Sequence, residues 1–286
     1  MKFRVAAIQM TSTGDRDANL RAAASRLAEA AAGGAQMAAL PENFSFLRVE
    51  GEPVPDPEPC TGPGPGAEDA AGGVTGWLRA RARAHGMWIL GGTVSERMAP
   101  GAEDGRAYNT SLLMDPTGNI VARYRKLHLF DVSIPGGPDF QESKTVAPGD
   151  SAVLAETPFG PMGLSVCYDL RFPELYRSLA LRGARAFLVP SAFTAHTGKD
   201  HWETLLRARA IENQCYLVAP AQIGRHSARR CSHGHTMILD PWGATLAEAP
   251  DRPAVIFADL DDARIEEVRR SLPALDHIRK DLFRLP

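Results

Sequence analysis

Twice along the 286-residue chain, short apolar runs alternate with stretches of helical length, a pattern that commits the fold to an α/β architecture. In the first half, residues 3–10 predict a buried strand and 16–32 an Ala-rich helix, with Asp15 or Asp17 as its cap and Gly33-Gly34 closing it. Residues 36–41 predict a second strand, 74–85 a helix and 87–94 a strand, before a hairpin (107–114 and 119–125) turning on Asp115-Pro116-Thr117-Gly118. In the second half, strand 162–167 leads to helix 173–182, which has Pro173 at its first position and Gly183 past its end. Strand 186–190, helix 201–213 and strand 215–222 follow. Strands 235–240, 244–249 and 254–260, turning on Asp240-Pro241-Trp242-Gly243, precede a last helix over 262–271. No internal repeat at fixed period is present, so one α/β domain over 1–286 is expected, with strands enough for two sheets. Two segments break the pattern: 51–73, rich in Pro and Gly, predicts a surface loop that cannot pack a core, and 126–150 predicts an irregular functional loop.

The charge balance is nearly neutral, 32 basic against 34 acidic residues, which argues against nucleic acid or an anionic membrane as partner. The one dense basic cluster, Arg229-Arg230 with Arg225 and His226, is too short for a nucleic-acid patch and predicts a solvated loop or a local anion contact. Four cysteines (Cys60, Cys167, Cys215, Cys231) without a C-x-x-C pair imply neither a disulfide framework nor a zinc ribbon. Cys215 reads as a core residue and Cys231 as a loop thiol. The first apolar run ends at Gln9 after a few residues, which suits a buried strand rather than a signal peptide. No run reaches the ~18 apolar residues of a membrane span. A cytoplasmic, reducing location is expected, where a reactive thiol persists.

Cys167 closes the apolar run Met162–Val166 and precedes Tyr168-Asp169-Leu170-Arg171-Phe172-Pro173-Glu174. A strand, sharp turn and helix in that order expose a nucleophile at a sheet end and aim backbone N–H groups at an oxyanion. Taken alone, the position suits an inert buried thiol better, because free cysteine is among the most buried residue types. A thiol nucleophile needs a base, and the carbonyl it attacks needs a partner for its developing charge. Glu42, after strand 36–41, and Lys126, after strand 119–125, carry the right chemistry at strand ends, where open sheets collect their ligands. Spacing alone does not bring the three together.

Three motifs do connect them. Leu40-Pro41-Glu42-Asn43, Tyr124-Arg125-Lys126-Leu127-His128-Leu129-Phe130 and Cys167-Tyr168-Asp169-Leu170-Arg171-Phe172-Pro173-Glu174 resemble the signatures of the nitrilase superfamily of carbon–nitrogen hydrolases, in that family's order. The resemblance extends over almost the whole chain. It implies an α/β fold, an α-β-β-α four-layer sandwich, that dimerises or assembles further. It implies Glu42 as general base, Lys126 as the group stabilising the tetrahedral intermediate, and Cys167 as nucleophile. The family's second glutamate matches Glu142 in Phe140-Gln141-Glu142-Ser143. The implied reaction is hydrolysis of a small linear amide through a cysteinyl thioester, with the Tyr168 N–H at the oxyanion and ammonia leaving. It needs no metal or other cofactor.

Pro190–Thr194, His201-Trp202-Glu203, Leu206–Glu212, Ala221-Gln222 and Gly234-His235 resemble the Nit-type amidase branch. Within it, Ser191–Thr194 and the Ala221–His226 run resemble amidases of deaminated glutathione, whereas 134–145 resembles ω-amidases acting on α-ketoglutaramate. The first is the leading expectation; an ω-amidase, another aliphatic amidase or nitrilase, or a catalytically silent binding protein on this fold are the alternatives. Both substrates are anionic 2-oxo acid amides, so an arginine fork in the pocket is expected. Arg171 is the candidate, with a salt bridge to Glu174 or Asp169 as its other reading. Tyr168, Phe193 and Thr194 complete the candidate substrate-binding set. His128 is expected to be structural. His233 and His235 are expected to be loop and strand residues, with no cysteine or carboxylate completing a metal site.

Overall fold

A computed structural model describes residues 2–48, 57–60, 72–102, 104–133, 139–279 and 281–283. The first half runs β1 (Lys2–Gln9), α1 (Arg16–Ala32), β2 (Met37–Ala39), α2 (Gly73–His85), β3 (Trp88–Leu90), β4 (Val94–Glu96), β5 (Ala107–Met114), β6 (Ile120–Arg125), β7 (Asp131–Ser133), β8 (Asp139–Gln141) and β9 (Val146–Ala147). The second half runs β10 (Leu154–Ala155), β11 (Met162–Leu164), α3 (Pro173–Leu181), β12 (Ala186–Leu188), α4 (Ala195–Asn213), β13 (Tyr216–Ala219), β14 (Ile223–Arg225), β15 (Cys231–His233), β16 (Met237–Leu239), β17 (Thr245–Glu248), β18 (Ala254–Asp261) and α5 (Asp262–Ser271).

Among the described residues, two larger mixed sheets form. One has eight strands, ordered β18-β1-β2-β3-β5-β4 with β6 and β9 also on β5; the other has six, ordered β10-β11-β12-β13-β16-β17. In both, the parallel core strands (β1-β2-β3 and β11-β12-β13) are joined through helices, as parallel pairing demands. The alternation of β1 sets the layers. Val5 and Ala7 face the core shared with Leu188 and Phe187 of the second sheet, while Ala6 and Ile8 face Leu27 of α1 and Leu78 of α2. Tyr176 of α3 and Trp202 of α4 join the core from the second sheet's side, giving helices, sheet, sheet, helices. Ile8 is fully buried, and truncating such a side chain costs about 2–5 kcal/mol.

Several elements depart from expectation. The run 87–94 is two strands, broken at Gly91-Gly92, because Gly92 takes φ +49° and its backbone presses on Pro41 so closely that a Cβ would lie 2.0 Å from the Pro41 carbonyl oxygen. The strand expected over 162–167 ends at Leu164. Helix α4 begins six residues before the expected 201, because Thr194 accepts from the Thr197 N–H and caps a first turn whose residues are weak helix formers. The expected surface loop 51–73 lies largely outside the described residues, but its Cys60 is buried in the core rather than on the surface. There Glu58 accepts from Val74 N and Thr75 N, serving as the cap that Gly72 cannot give α2. The irregular 126–150 segment holds the β7–β8 hairpin and a short 3-10 turn at Glu142–Lys144, while 134–138 lie outside the described residues. The arginine cluster forms a hairpin, β14–β15.

Candidate active site

Cys167 opens a 3-10 turn (Cys167–Arg171) that follows β11, with Pro173 starting α3 beyond it. Its φ of +47° is left-handed, a conformation costing about 1–2 kcal/mol for a residue with a Cβ. The turn is held by Cys167 N donating to Pro190 O (3.0 Å) and Asp169 N to Val166 O (3.0 Å). The Asp169 carboxylate is fully buried and accepts from Val166 N (2.8 Å), the Tyr124 hydroxyl (2.6 Å) and His128 N (3.0 Å), with His128 Nδ1 at 2.7 Å. One carboxylate thus ties the nucleophile's turn to the segment carrying Lys126. His128 also stacks on Phe172 at 3.6 Å, the structural role expected of it.

Glu42 leaves the end of β2 and is buried, as is Lys126 just past β6. The Lys126 ammonium lies 3.2 Å from Glu42 Oε1 and 2.8 and 3.1 Å from the two Glu142 oxygens. Asn109 Nδ2 donates to Glu42 (2.9 Å) and to Glu142 (3.3 Å), bridging the two carboxylates. Ala192 N holds the other oxygen of Glu42 (2.8 Å), and Phe130 N holds Glu142 Oε2 (2.7 Å). Burial opposes the charge on Glu42, yet Lys126, a hydrogen bond from Cys167 and the Ala192 N–H together hold its carboxyl below the ordinary value. Burial likewise opposes the charge on Lys126, but Glu142 and Glu42 push it up, so it stays an ammonium. The Cys167 thiol is pushed well above its ordinary value by burial and by the Glu42 carboxylate. The resting arrangement is therefore a neutral thiol near a carboxylate, with a fixed cation alongside. That set can move a proton from sulfur to carboxylate and hold negative charge on a carbonyl oxygen.

The cluster opens into a cavity of about 650 Å³ lined by all eight expected site residues. Tyr168 packs edge-on to Phe130 and Phe172. The Arg171 guanidinium lies 5.2 Å over the Phe193 ring and 5.9 Å over Tyr168, within 3.3 Å of His201 Nδ1. Among the described residues, no carboxylate pairs with Arg171, so the salt bridge to Glu174 or Asp169 is not formed; Asp169 is occupied by Val166 N, the Tyr124 hydroxyl and two nitrogens of His128. Thr194 both lines the cavity and caps α4. His235 meets two carboxylates, Glu248 at 2.7 Å and Asp251 at 3.2 Å, and it stacks on His233. Even so, among the described residues no three His, Cys, Asp or Glu are arranged to hold a metal ion. The residues missed from sequence are Asn109, Ala192 and the positioning role of Asp169; Arg230, expected in a solvated loop or a local anion contact, lines the cavity. Only Asp169, an acid inside an apolar run beside the cysteine, left a local signal.

The sequence pattern of the carbon-nitrogen hydrolase family matches residues 4–270. The chain is 45% identical over 277 residues to a deaminated glutathione amidase of Synechocystis sp. (strain PCC 6803), covering 96% of this chain and 97% of that protein. It is 42% identical over 281 residues to the human deaminated glutathione amidase, covering 98% and 83%. Among solved structures, Saccharomyces cerevisiae Nit3, a member of branch 10 of the nitrilase superfamily, superposes with a TM-score of 0.80 at 29% identity, covering 98% of this chain and 96% of that one.

Proposed function

The chain belongs to the carbon–nitrogen hydrolases, enzymes that hydrolyse C–N bonds of amides, and on that premise we propose that it cleaves a 2-oxo acid amide of the deaminated-glutathione type through a thioester on Cys167. Glu42 takes the thiol proton as sulfur attacks the amide carbon. Negative charge collects on the carbonyl oxygen, facing the Lys126 ammonium and the Tyr168 N–H. Glu42 then gives its proton to the departing nitrogen, and the C–N bond breaks. The leaving group is ammonia for an unsubstituted amide such as α-ketoglutaramate; for deaminated glutathione it is the amine of the cysteinylglycine portion. Water, deprotonated by Glu42, attacks the thioester and releases the 2-oxo acid, and the thiol regains its proton. Glu142 keeps Lys126 charged and in place, and Arg171 pairs with the carboxylate next to the ketone.

The observation that carries this reading is the buried meeting of Glu42, Lys126 and Glu142 in the cavity that Cys167 also lines. The identity to deaminated glutathione amidases over nearly the whole chain supports that substrate ahead of α-ketoglutaramate. The competing segment, 134–145, falls partly outside the described residues. The test is release of ammonia or amine from deaminated glutathione, α-ketoglutaramate and a simple nitrile, with 2-oxoglutarate as the acid product of the first two. The reading expects deaminated glutathione to give the highest kcat/KM. No release from any of them, with no labelling of Cys167 by iodoacetamide, overturns it.

The reading includes a single 1–286 domain, a cytoplasmic location and a homodimer. All four thiols are free, which suits a reducing compartment, and among the described residues no helix is long and apolar enough to cross a membrane. Light scattering tests the dimer, and a monomer at working concentration contradicts it.

A further inference from the structure

The cavity holds more positive charge than the catalytic cluster uses. Six Lys and Arg side chains line it against four Asp and Glu, among the described residues. Lys126 is matched by Glu42 and Glu142, and Arg16 by Glu58 at 3.5 Å. Arg48, Lys144, Arg171 and Arg230 meet no carboxylate among the described residues, and of these four Arg230 is the one whose charge acts on Glu42. Arg171 and Arg230 reach the cavity from different elements. Arg171 ends the turn that Cys167 begins. Arg230 sits at the foot of β15, and its hairpin is fastened to the segment that carries Glu42.

That fastening is specific. Gln222 Nε2 donates to Glu42 O (3.0 Å) and Ser12 Oγ (2.8 Å), while Ser12 N donates to Gln222 Oε1 (2.9 Å). The buried His226 bridges Ser12 O (2.7 Å) and Ser232 Oγ (2.8 Å), and its N–H holds Arg230 O (2.9 Å). Arg230 Nη1 donates to Arg48 O at 3.4 Å, six residues past Glu42. The Arg230 charge reaches Glu42, whose carboxyl it helps to lower.

We propose that Arg230 is a second carboxylate-binding residue, which receives the terminal carboxylate of the leaving portion while Arg171 holds the carboxylate of the 2-oxo acid portion. The inference rests on the mechanism above, in which Glu42 protonates the departing nitrogen. The leaving group must then lie beside Glu42, and Arg230 is the unmatched cavity-lining cation whose charge acts there. A substrate with a carboxylate at each end fits a cavity lined by more than one unmatched arginine. A volume of about 650 Å³ is also more than a five-carbon acid amide fills. Specificity for an extended dianionic amide over a small primary one would thus come from a charge-assisted hydrogen bond remote from the reacting carbon.

The experiment compares wild type and Arg230→Gln on deaminated glutathione, on its analogue ending in glycinamide, and on α-ketoglutaramate. A charge-assisted pair predicts that the substitution raises the ratio of KM for deaminated glutathione to KM for α-ketoglutaramate by about 10- to 100-fold. Wild type should show a similar penalty for the glycinamide analogue, and Arg230→Gln should add little to it. The wild-type comparison needs no variant to fold. Equal KM changes on all three substrates, or no wild-type penalty for the glycinamide analogue, overturn the role of Arg230. Turnover of α-ketoglutaramate alone overturns the extended-substrate inference and spares the amidase mechanism. No turnover of any substrate overturns the mechanism itself.

Discussion

Asp169→Asn probes the joint between the nucleophile's turn and the lysine segment. One carboxylate oxygen accepts the Tyr124 hydroxyl (2.6 Å) and Val166 N–H (2.8 Å); the other accepts His128 N–H (3.0 Å) and faces His128 Nδ1 (2.7 Å). The tyrosine hydroxyl and the imidazole can reverse their roles and accept, but the two backbone N–H groups cannot. Whichever way the asparagine amide turns, its NH2 faces one of them. A buried donor left without an acceptor costs about 1–3 kcal/mol, and the loss of charge on the remaining bonds adds about 1 kcal/mol more. For a total near 3 kcal/mol, the melting temperature should fall by roughly 6–12 °C in a chain of this size. Losing either N–H bond loosens the joint between the Cys167 turn and the lysine segment, so kcat should drop about tenfold or more even where the variant is fully folded. Tyr124→Phe removes one hydroxyl and spares both N–H groups, and should cost about 1 kcal/mol. Calorimetry and steady-state kinetics at 25 °C give both readouts. An Asp169→Asn protein that melts within ~2 °C of wild type with kcat within about twofold refutes the argument.

Gly92→Ala should lower both stability and kcat, because φ +49° and a Cβ 2.0 Å from Pro41 O force the Pro41-Glu42 backbone to move. Gly34→Ala is its control: φ is +76° but nothing lies within 4 Å of the added Cβ, so only strain of about 1 kcal/mol and an unchanged kcat are expected from thermal melts and kinetics. His226 should make stability fall with acid. Burial, helped by Arg230, brings its pKa down from 6.5 to about 4, so between those values the unfolded chain binds the extra proton. The stabilisation is complete above pH 6.5 and is lost as pH falls towards 4, about 3 kcal/mol over the full window. Urea titrations of wild type and His226→Gln at neutral pH and near pH 4.5 should show a steeper loss for wild type; parallel losses contradict it.

The sequence carried the period of the long elements and the chemistry of the motifs. Residues 2–9, 16–32 and 262–271 were legible because apolar spacing, the Asp15 cap and flanking glycines agree locally. Glu42, Lys126, Glu142 and Cys167 were legible through motif order, and all line one cavity. What escaped depends on contacts far apart in the chain. Asn109 meets Glu42 across 67 residues, Ala192 meets it across 150 and Gln222 across 180. The Arg230 hairpin looked like a charged loop because the groups that fix it, Ser12 and Glu42, lie in the first sheet's loops. The start of α4 was hidden because Thr194, Thr197 and Gly198 serve a cap and a close approach to His233 rather than helix propensity. Arg171 was ambiguous by spacing alone, and its packing on Phe193 and Tyr168 removed the salt-bridge reading.

The central claim is that the amide carbon becomes bonded to Cys167 sulfur. Rapid acid quench of the enzyme with deaminated glutathione, followed by peptide mass spectrometry, tests it directly. The account predicts a 2-oxoglutaryl mass on the peptide containing Cys167, removed by hydroxylamine and absent in Cys167→Ala, which should also release no product. Continued turnover by Cys167→Ala, or an acyl group found on Cys60, Cys215 or Cys231 instead, would contradict it.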